Sequence, residues 1–359
     1  MGIRKRIILL GATGSIGKST VDVVATHSDE FRIVAVSALR NRVKCEEIAA
    51  KFGAKAYLGE DGALRAVEEN EADICLVATV GTSGIAPTLA AIEKKMDIAL
   101  ATKEVMVMAG EIVTRRAREN GVKFLPVDSE HSAIFQALSG NDISEVDRLI
   151  LTASGGPFLN GPEDLSSVTP EEALNHPRWK MGAKVTIDSS TMVNKAFEVL
   201  EARWLFDIPV ERIDVVVHPE SIVHSLVTYK DGATMAQLSP PDMRVAIQYA
   251  LSAPRRLEAE REKLDLAQLG ALTFKACDTK RFPALEIVKA ALNRGGGATA
   301  VFAAADEWAV QAFLDGKIKY TGIVEAIRRA LDNAPDFPCE KIEDVFAAAK
   351  WTIDFLENN

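Results

Sequence analysis

The sequence predicts an α/β protein: a first part of alternating strands and helices, an α+β part with an open sheet, and a helical bundle at the C-terminus. Three observations carry this. Short apolar, β-branched runs alternate with helix-forming stretches over the first third of the chain. Two of these runs end in glycine-rich turns, at Gly11 to Gly17 and at Gly81 to Gly84. From about Phe282 onward the pattern is helical, with alanine-rich runs around Gly295-Gly296-Gly297 and no candidate chemistry. With 359 residues, 48% of them hydrophobic, the chain can bury more than one core, so two or three domains are expected.

The first strand, Arg6 to Leu10, runs into Gly11-Ala12-Thr13-Gly14-Ser15-Ile16-Gly17 and then into helix formers to about His27. Strand, glycine turn and helix in this order let the backbone approach a pyrophosphate, whose charge sits on the helix N-terminus, as in a Rossmann-like dinucleotide-binding domain. Gly17-Lys18-Ser19 also resembles the end of a P-loop, but that motif needs a glycine five residues before Gly17, where the chain has Ala12. The second strand, Phe31 to Leu39, ends in Arg40-Asn41-Arg42, where an NAD-binding protein carries an acid for the ribose. Basic residues there suit a 2′-phosphate and favour NADP, although the triplet reads equally as a solvated loop. The third strand, Asp73 to Val80, is followed by the Gly81 to Gly84 turn and a helix with Pro87 near its start. A P-loop enzyme would want an Asp at the exit of such a strand, and here Asp73 precedes it. A fourth strand, Ile98 to Ala101, delivers Thr102-Lys103-Glu104 to the sheet's carboxyl end, which makes Lys103 a candidate substrate contact.

The chemistry is expected in Leu125-Pro126-Val127-Asp128-Ser129-Glu130-His131-Ser132. On an extended segment Asp128 and Glu130 leave the same face and can share one hard cation; the alternative is a polar loop after a strand. Leu149 to Thr152 reads as a strand, with Ala153-Ser154-Gly155-Gly156-Pro157-Phe158 as either an anion cradle or a plain turn. His176-Pro177-Arg178-Trp179-Lys180-Met181-Gly182 is too irregular for core, and its Trp179 suggests a lid. Thr186 to Leu200 reads as one helix, N-capped by Asp188, Ser189 or Ser190 and so offering an anion site at its start. Asn194 and Glu198 share a face of it: Glu198 can turn inward as a third metal carboxylate while Asn194 and Lys195 address the substrate, or the face is solvated and simply charge-paired. Strands at Asp214 to His218 and Ser225 to Tyr229, with an Asp231-Gly232 hairpin turn before Thr234 to Leu238, suit an open sheet edge. His218 and His224 read as structural.

A net charge of −9, without a Lys/Arg-dense patch interleaved with aromatics, argues against a nucleic-acid partner. The apolar run after Arg4-Lys5-Arg6 breaks at Gly11, too short for a secretion signal, and no 18-residue uncharged apolar segment follows, so no membrane association is expected. Cys45, Cys75, Cys277 and Cys339 are too scattered for a zinc site or a disulfide scaffold, which fits a reducing cytoplasm.

The Gly11 to Gly17, Val127 to Ser132, Ala153 to Phe158, His176 to Gly182, Ile187 to Lys195 and His218-Pro219-Glu220-Ser221-Ile222-Val223-His224-Ser225 motifs, in this order and continuing to Pro241-Asp242-Met243-Arg244, resemble the 1-deoxy-D-xylulose 5-phosphate reductoisomerase family. The resemblance implies a homodimeric, NADPH-dependent enzyme of the non-mevalonate isoprenoid pathway that rearranges and reduces its phosphorylated sugar substrate to 2-C-methyl-D-erythritol 4-phosphate with Mg, Mn or Co. The chain is read as domains at 1–127 (NADPH-binding), 128–253 (catalysis and dimerisation) and 282–359 (helical), with a polar connector at 254–281. By the same resemblance, Asp128, Glu130 and Glu198 hold the cation and, with Lys103, form the catalytic set. Ser154, Ser189, Asn194 and Lys195 hold the phosphate with His176 nearby, Lys103 and Ser129 contact the sugar, and Trp179 with Met181 belongs to a flap. Thr13, Gly14, Ser15, Ile16, Thr102, Glu104, Gly182 and Met243 are implied at the dinucleotide, with Arg40 and Asn41 at its 2′-phosphate. Thr102 stands where the family often has Asn, and Asp306-Glu307 where it often has Asn-Glu. A P-loop kinase or NTPase and a non-catalytic NADP-binding sensor are the competing readings.

Overall fold

The computed structural model describes residues 4–175, 182–259 and 261–359, so His176, Trp179 and Met181 of the expected flap lie outside the described residues. The chain divides into two compact units: Met1–Met106, Val113–Gly140 and Ser239–Lys263 form one, and Val107–Ile112, Asn141–Leu238 and Leu264–Asn359 the other. Each draws on non-consecutive stretches, whereas the sequence reading cuts the chain consecutively.

The first unit is built on strands β1 (Lys5–Leu10), β2 (Phe31–Ala38), β3 (Lys55–Leu58), β4 (Ile74–Val77), β5 (Asp97–Leu100) and β6 (Phe124–Pro126). They form one parallel sheet in the order β3-β2-β1-β4-β5-β6. The order reverses between β1 and β4, the point at which open α/β sheets bind ligands. Ile7 to Leu10 are inaccessible, as a strand covered on both faces requires. The helix Ser15–Thr26 buries Val21, Val23 and Val24 in the same core as Ile247, Ala250 and Leu251 of the helix Met243–Ser252. The His27 ring and Gln248 Oε1 meet at 3.1 Å, and Lys5 donates to the Leu251 carbonyl at 2.9 Å, fastening this returning segment to the sheet's first strand and helix.

The glycine turn is fixed by space. Gly11 has φ +78°, and a Cβ there would lie 2.1 Å from the Ala78 carbonyl oxygen where β1 and β4 end side by side. A Cβ on Gly17 would come within 2.5 Å of Ala12. Gly14, the helix N-cap, is by contrast exposed and open toward solvent.

The second unit carries β7 (Val146–Ala153), β8 (Ile213–Val217), β9 (Val223–Tyr229), β10 (Thr234–Leu238) and β11 (Lys275–Ala276), in the order β10-β9-β7-β8-β11. Only β7 and β8 run parallel among these pairs. Gly232, at φ +90°, makes the expected hairpin turn between β9 and β10. The C-terminal part is helical as expected: Ala284–Arg294, Ala298–Leu314, Thr321–Asn333 and Ile342–Asn358. Phe302 in the second of these is inaccessible and meets Phe197 edge-on at 5.7 Å.

Gly11→Ala is expected to cost about 1–3 kcal/mol in backbone strain alone, before the overlap with Ala78 is relieved. Thermal melting with a fluorescence titration of NADPH checks this: Tm should fall and nucleotide binding should weaken, and an unchanged Tm would contradict the account.

Candidate active site

In the first unit the acidic motif opens a helix, which corrects the expectation of an extended segment. Asp128 is the N-cap of the helix Ser129–Ala137, its Oδ1 accepting from the Ser129 amide at 3.1 Å. An Asp at this position satisfies an otherwise unpaired amide, and that preference overrides the extended continuation of β6. The N-cap and second helical residue still bring the carboxylate oxygens of Asp128 and Glu130 within 4.8 Å of one another. The Ser129 hydroxyl donates to Glu130 Oε2 at 2.5 Å. Lys103, first residue of the helix Lys103–Asn120 that follows β5, donates its ammonium to Asp128 Oδ2. His131 is fully buried, its Nδ1 3.8 Å from the same oxygen.

The residues implied at the dinucleotide occupy this unit too, except Gly182. Thr13, Gly14, Ser15 and Ile16 surround the start of the helix Ser15–Thr26, and Ile16 and Met243 pack against one core. Arg40 is exposed at the end of β2, and Asn41 caps the helix Arg42–Phe52 by accepting from the Lys44 amide at 3.2 Å. The buried Thr102 hydroxyl donates to the Thr79 carbonyl at 2.9 Å, pinning the exits of β4 and β5 together, and Glu104 lies in the first turn that follows.

In the second unit the loop after β7 forms a close contact rather than a plain turn. Gly155 and Gly156 have φ of +87° and +64°, and a Cβ on Gly156 would lie 2.9 Å from the Ser189 carbonyl oxygen. Ser154 and Ser189 are thus carried on two backbones that meet. The expected single helix is two, Ala183–Ser190, N-capped by Gly182, and Val193–Phe206. Asp188, Ser189 and Ser190 therefore close a helix instead of opening one, and the anion site expected at a helix start there is absent. The break is made by Met192 at φ +64°, with the Thr191 hydroxyl returned to the Ile187 and Asp188 carbonyls. Asn194 and Lys195 open the second helix. Asn194 Nδ2 donates to Glu198 Oε1 at 2.6 Å, and the Lys195 ammonium donates to Glu198 Oε2 and, at 2.5 Å, to the Thr152 carbonyl at the end of β7. Glu198 is 1% exposed and Lys195 4%, so this is not a solvated helix face. Burial leaves the Cys277 thiol pushed up to about 11 despite the opposing charge of Lys195.

His218 has the structural role expected of it. Its Nδ1 lies 2.8 Å from the Thr273 carbonyl, its Nε2 accepts from the Ile222 and Val223 amides at 3.1 Å, and its ring stacks on Phe274 at 4.8 Å. What sequence reasoning missed is a buried cluster of Lys184, Asp188 and Asp306. The available signal was the Asp306-Glu307 pair directly after Ala303-Ala304-Ala305 in an otherwise apolar stretch.

Sheet order, the glycine turn at the switch point and a lysine-paired acidic group define a dinucleotide-binding protein. The chain belongs to the 1-deoxy-D-xylulose 5-phosphate reductoisomerase family. The model of that family matches residues 7–57 and 48–110, and models of its C-terminal domains match residues 124–206 and 238–355. The 1-deoxy-D-xylulose 5-phosphate reductoisomerase of Symbiobacterium thermophilum is 47% identical over 98% of both chains, and that of Geobacter metallireducens 47% over 97% of both. Among solved structures, the Zymomonas mobilis reductoisomerase in complex with NADPH superposes with a TM-score of 0.91 at 38% identity, covering 99% of this chain and 98% of that one. A reductoisomerase in complex with NADPH, fosmidomycin and magnesium gives 0.90 at 35%, with the same coverage.

His218→Ala leaves two buried amide donors without an acceptor, at about 1–3 kcal/mol each. Chemical denaturation should show a loss of that order, with metal-dependent stabilisation retained; a loss under about 0.5 kcal/mol, typical of an ordinary surface site, would contradict the structural role.

Proposed function

We propose that this chain catalyses the NADPH- and divalent-metal-dependent rearrangement and reduction of 1-deoxy-D-xylulose 5-phosphate to 2-C-methyl-D-erythritol 4-phosphate. Likeness along 98% of the chain to a reductoisomerase 47% identical carries this reading, ahead of the P-loop and silent-sensor alternatives. The residues present fit both cofactors. Gly11 and Gly17 leave no room for side chains where a dinucleotide backbone would approach. Asp128 and Glu130 offer hard oxygen donors within 4.8 Å of one another, and the ammoniums held by Asp128 and Glu198 support reading these acids as able to accept a cation.

When bound, NADPH supplies the hydride and the divalent cation the Lewis acidity. In this reading Asp128, Glu130 and Glu198 are the metal ligands. Ser154, Ser189, Asn194 and Lys195 hold the substrate phosphate with His176 beside them, and Lys103 and Ser129 orient the sugar hydroxyls. Trp179 and Met181 close over the substrate and exclude water. Thr13, Gly14, Ser15, Ile16, Thr102, Glu104, Gly182 and Met243 bind the dinucleotide, with Arg40 and Asn41 at the 2′-phosphate. The division of labour at 1–127, 128–253, 254–281 and 282–359 belongs to the same proposal.

A cytoplasmic homodimer completes it. Four free cysteines and, among the described residues, no helix long and apolar enough to cross a membrane support the compartment. The exposed edge of β10 at Thr234, Met235 and Ala236 supports self-association.

NADPH oxidation should require 1-deoxy-D-xylulose 5-phosphate and added Mg or Mn together; no oxidation under those conditions would refute the proposal. Metal titration of Glu198→Lys should show metal-induced thermal stabilisation and turnover lost together with NADPH binding intact, and full metal affinity would remove Glu198 from the ligand set. Arg40→Asp should narrow the preference for NADPH over NADH. Equal kcat/KM for both cofactors in the unmodified enzyme would refute the role of Arg40 and Asn41.

A further inference from the structure

The helix Ala183–Ser190 ends at Ser189 and Ser190 against the Gly155-Gly156 loop, and a cluster far away in sequence fastens it. The Lys184 ammonium donates at 2.6 Å to Asp188 Oδ2, one turn along the same helix, and at 2.6 Å to Asp306 Oδ2 on the helix Ala298–Leu314. Asp188 is 3% exposed and Asp306 inaccessible. The ammonium also lies 5.1 Å from the Phe197 ring, which itself packs on Phe302. One cation therefore ties three helices together. Asp306 Oδ1 finds no hydrogen-bond partner among the described residues, so Lys184 is what holds this carboxylate. Burial alone would lower the Lys184 pKa, but Asp188 and Asp306 outweigh it and hold it above its ordinary value, so the ammonium stays charged.

The geometry points to Asp306 as a positioning residue for the substrate phosphate: through Lys184 it fixes Asp188 and thereby the neighbouring Ser189. This rests on the proposed phosphate role of Ser154, Ser189, Asn194 and Lys195. Asp306 reaches the substrate only through Lys184 and Asp188, and its contribution is the register of the last helical turn. A hydroxyl displaced by a fraction of an ångström loses much of an anion contact while leaving the chemical step nearly untouched.

The test uses the full-length enzyme with Mg and NADPH, with inorganic phosphate as a competitive probe. Asp306→Ala should raise both KM for the sugar phosphate and the phosphate inhibition constant about fivefold or more, with kcat within about twofold and NADPH affinity unchanged. Asp306→Asn, which keeps an acceptor for Lys184, should recover most of the loss. A variant that melts earlier yet keeps the phosphate inhibition constant would overturn the inference and leave Asp306 a packing residue. Should Asp306→Ala fail to fold, Lys184→Arg, which keeps the charge but alters its reach, must show the same split between KM and kcat or the inference falls. Ser189→Ala is the control for the underlying reading. If it leaves phosphate inhibition unchanged, the phosphate assignment fails and takes the inference with it; if it weakens inhibition while Asp306→Ala does not, the inference alone fails.

Discussion

A buried carboxylate must keep a positive partner, and much of this molecule is arranged around that constraint. Three lysines meet it: Lys195 on Glu198, Lys184 on Asp188 and Asp306, and Lys103 on the half-buried Asp128. Desolvating an ion costs several kcal/mol, and only a close counter-charge with further hydrogen bonds offsets it. The supporting bonds are present: the Ser129 amide on Asp128, Asn194 on Glu198, and the Thr152 carbonyl on Lys195. Two of these four pairings are set by local helix geometry, Lys195 and Glu198 three apart and Lys184 and Asp188 four apart, while Lys103–Asp128 and Lys184–Asp306 join distant stretches of the chain. Asp128 and Glu130, whose carboxylate oxygens lie within 4.8 Å of one another, are donors of the kind a hard divalent cation prefers.

The two units handle negative charge by different means. The first uses backbone: at Gly11 and Gly17 the chain passes too close to Ala78 and Ala12 for any side chain, which leaves the start of the helix Ser15–Thr26 open to a pyrophosphate. The second, in the function proposed above, would use side chains: the hydroxyls of Ser154 and Ser189, the Asn194 amide and the Lys195 ammonium, carried on a strand exit and two helices. Backbone amides are indifferent to what lies beyond the phosphate and suit a cofactor common to many enzymes. A small substrate must be held in one orientation, and side chains locked by packing do that with more specificity.

What was legible in the sequence was local. β1 with its glycine turn and the Asp231-Gly232 hairpin follow from residues within one turn or one strand of each other, whereas the shared face of Asn194 and Glu198 was readable but not whether it turned inward or to solvent. The break at Met192 left no trace, because neither Gly nor Pro marks it and the Thr191 hydroxyl supplies the missing partners. Asp128 was misread as part of an extended segment because Pro126 and Val127 favour one, although Asp followed by a helix former is also a cap signal. Lys184 and Asp306 are 122 residues apart, and nothing within either neighbourhood names the other.

The return of Ser239–Lys263 to the first unit shows how far such long-range closure extends. Ile247, Ala250 and Leu251 share a core with Ile7, Leu9, Val21 and Val24, and Gln248 meets His27. Without that helix, the face of Ser15–Thr26 carrying Val21 and Val24 would lose its apolar cover, at about 1.5–3 kcal/mol for each large side chain returned to water. The covered helix Ser15–Thr26 begins directly at the glycine turn. A nucleotide-binding unit whose core is completed only by residues beyond 239 is therefore not a segment that folds ahead of the rest. Its strands and glycines come from the first third of the chain, while the cover that holds them in place comes from the last, and most of the second unit's sheet lies in sequence between the two.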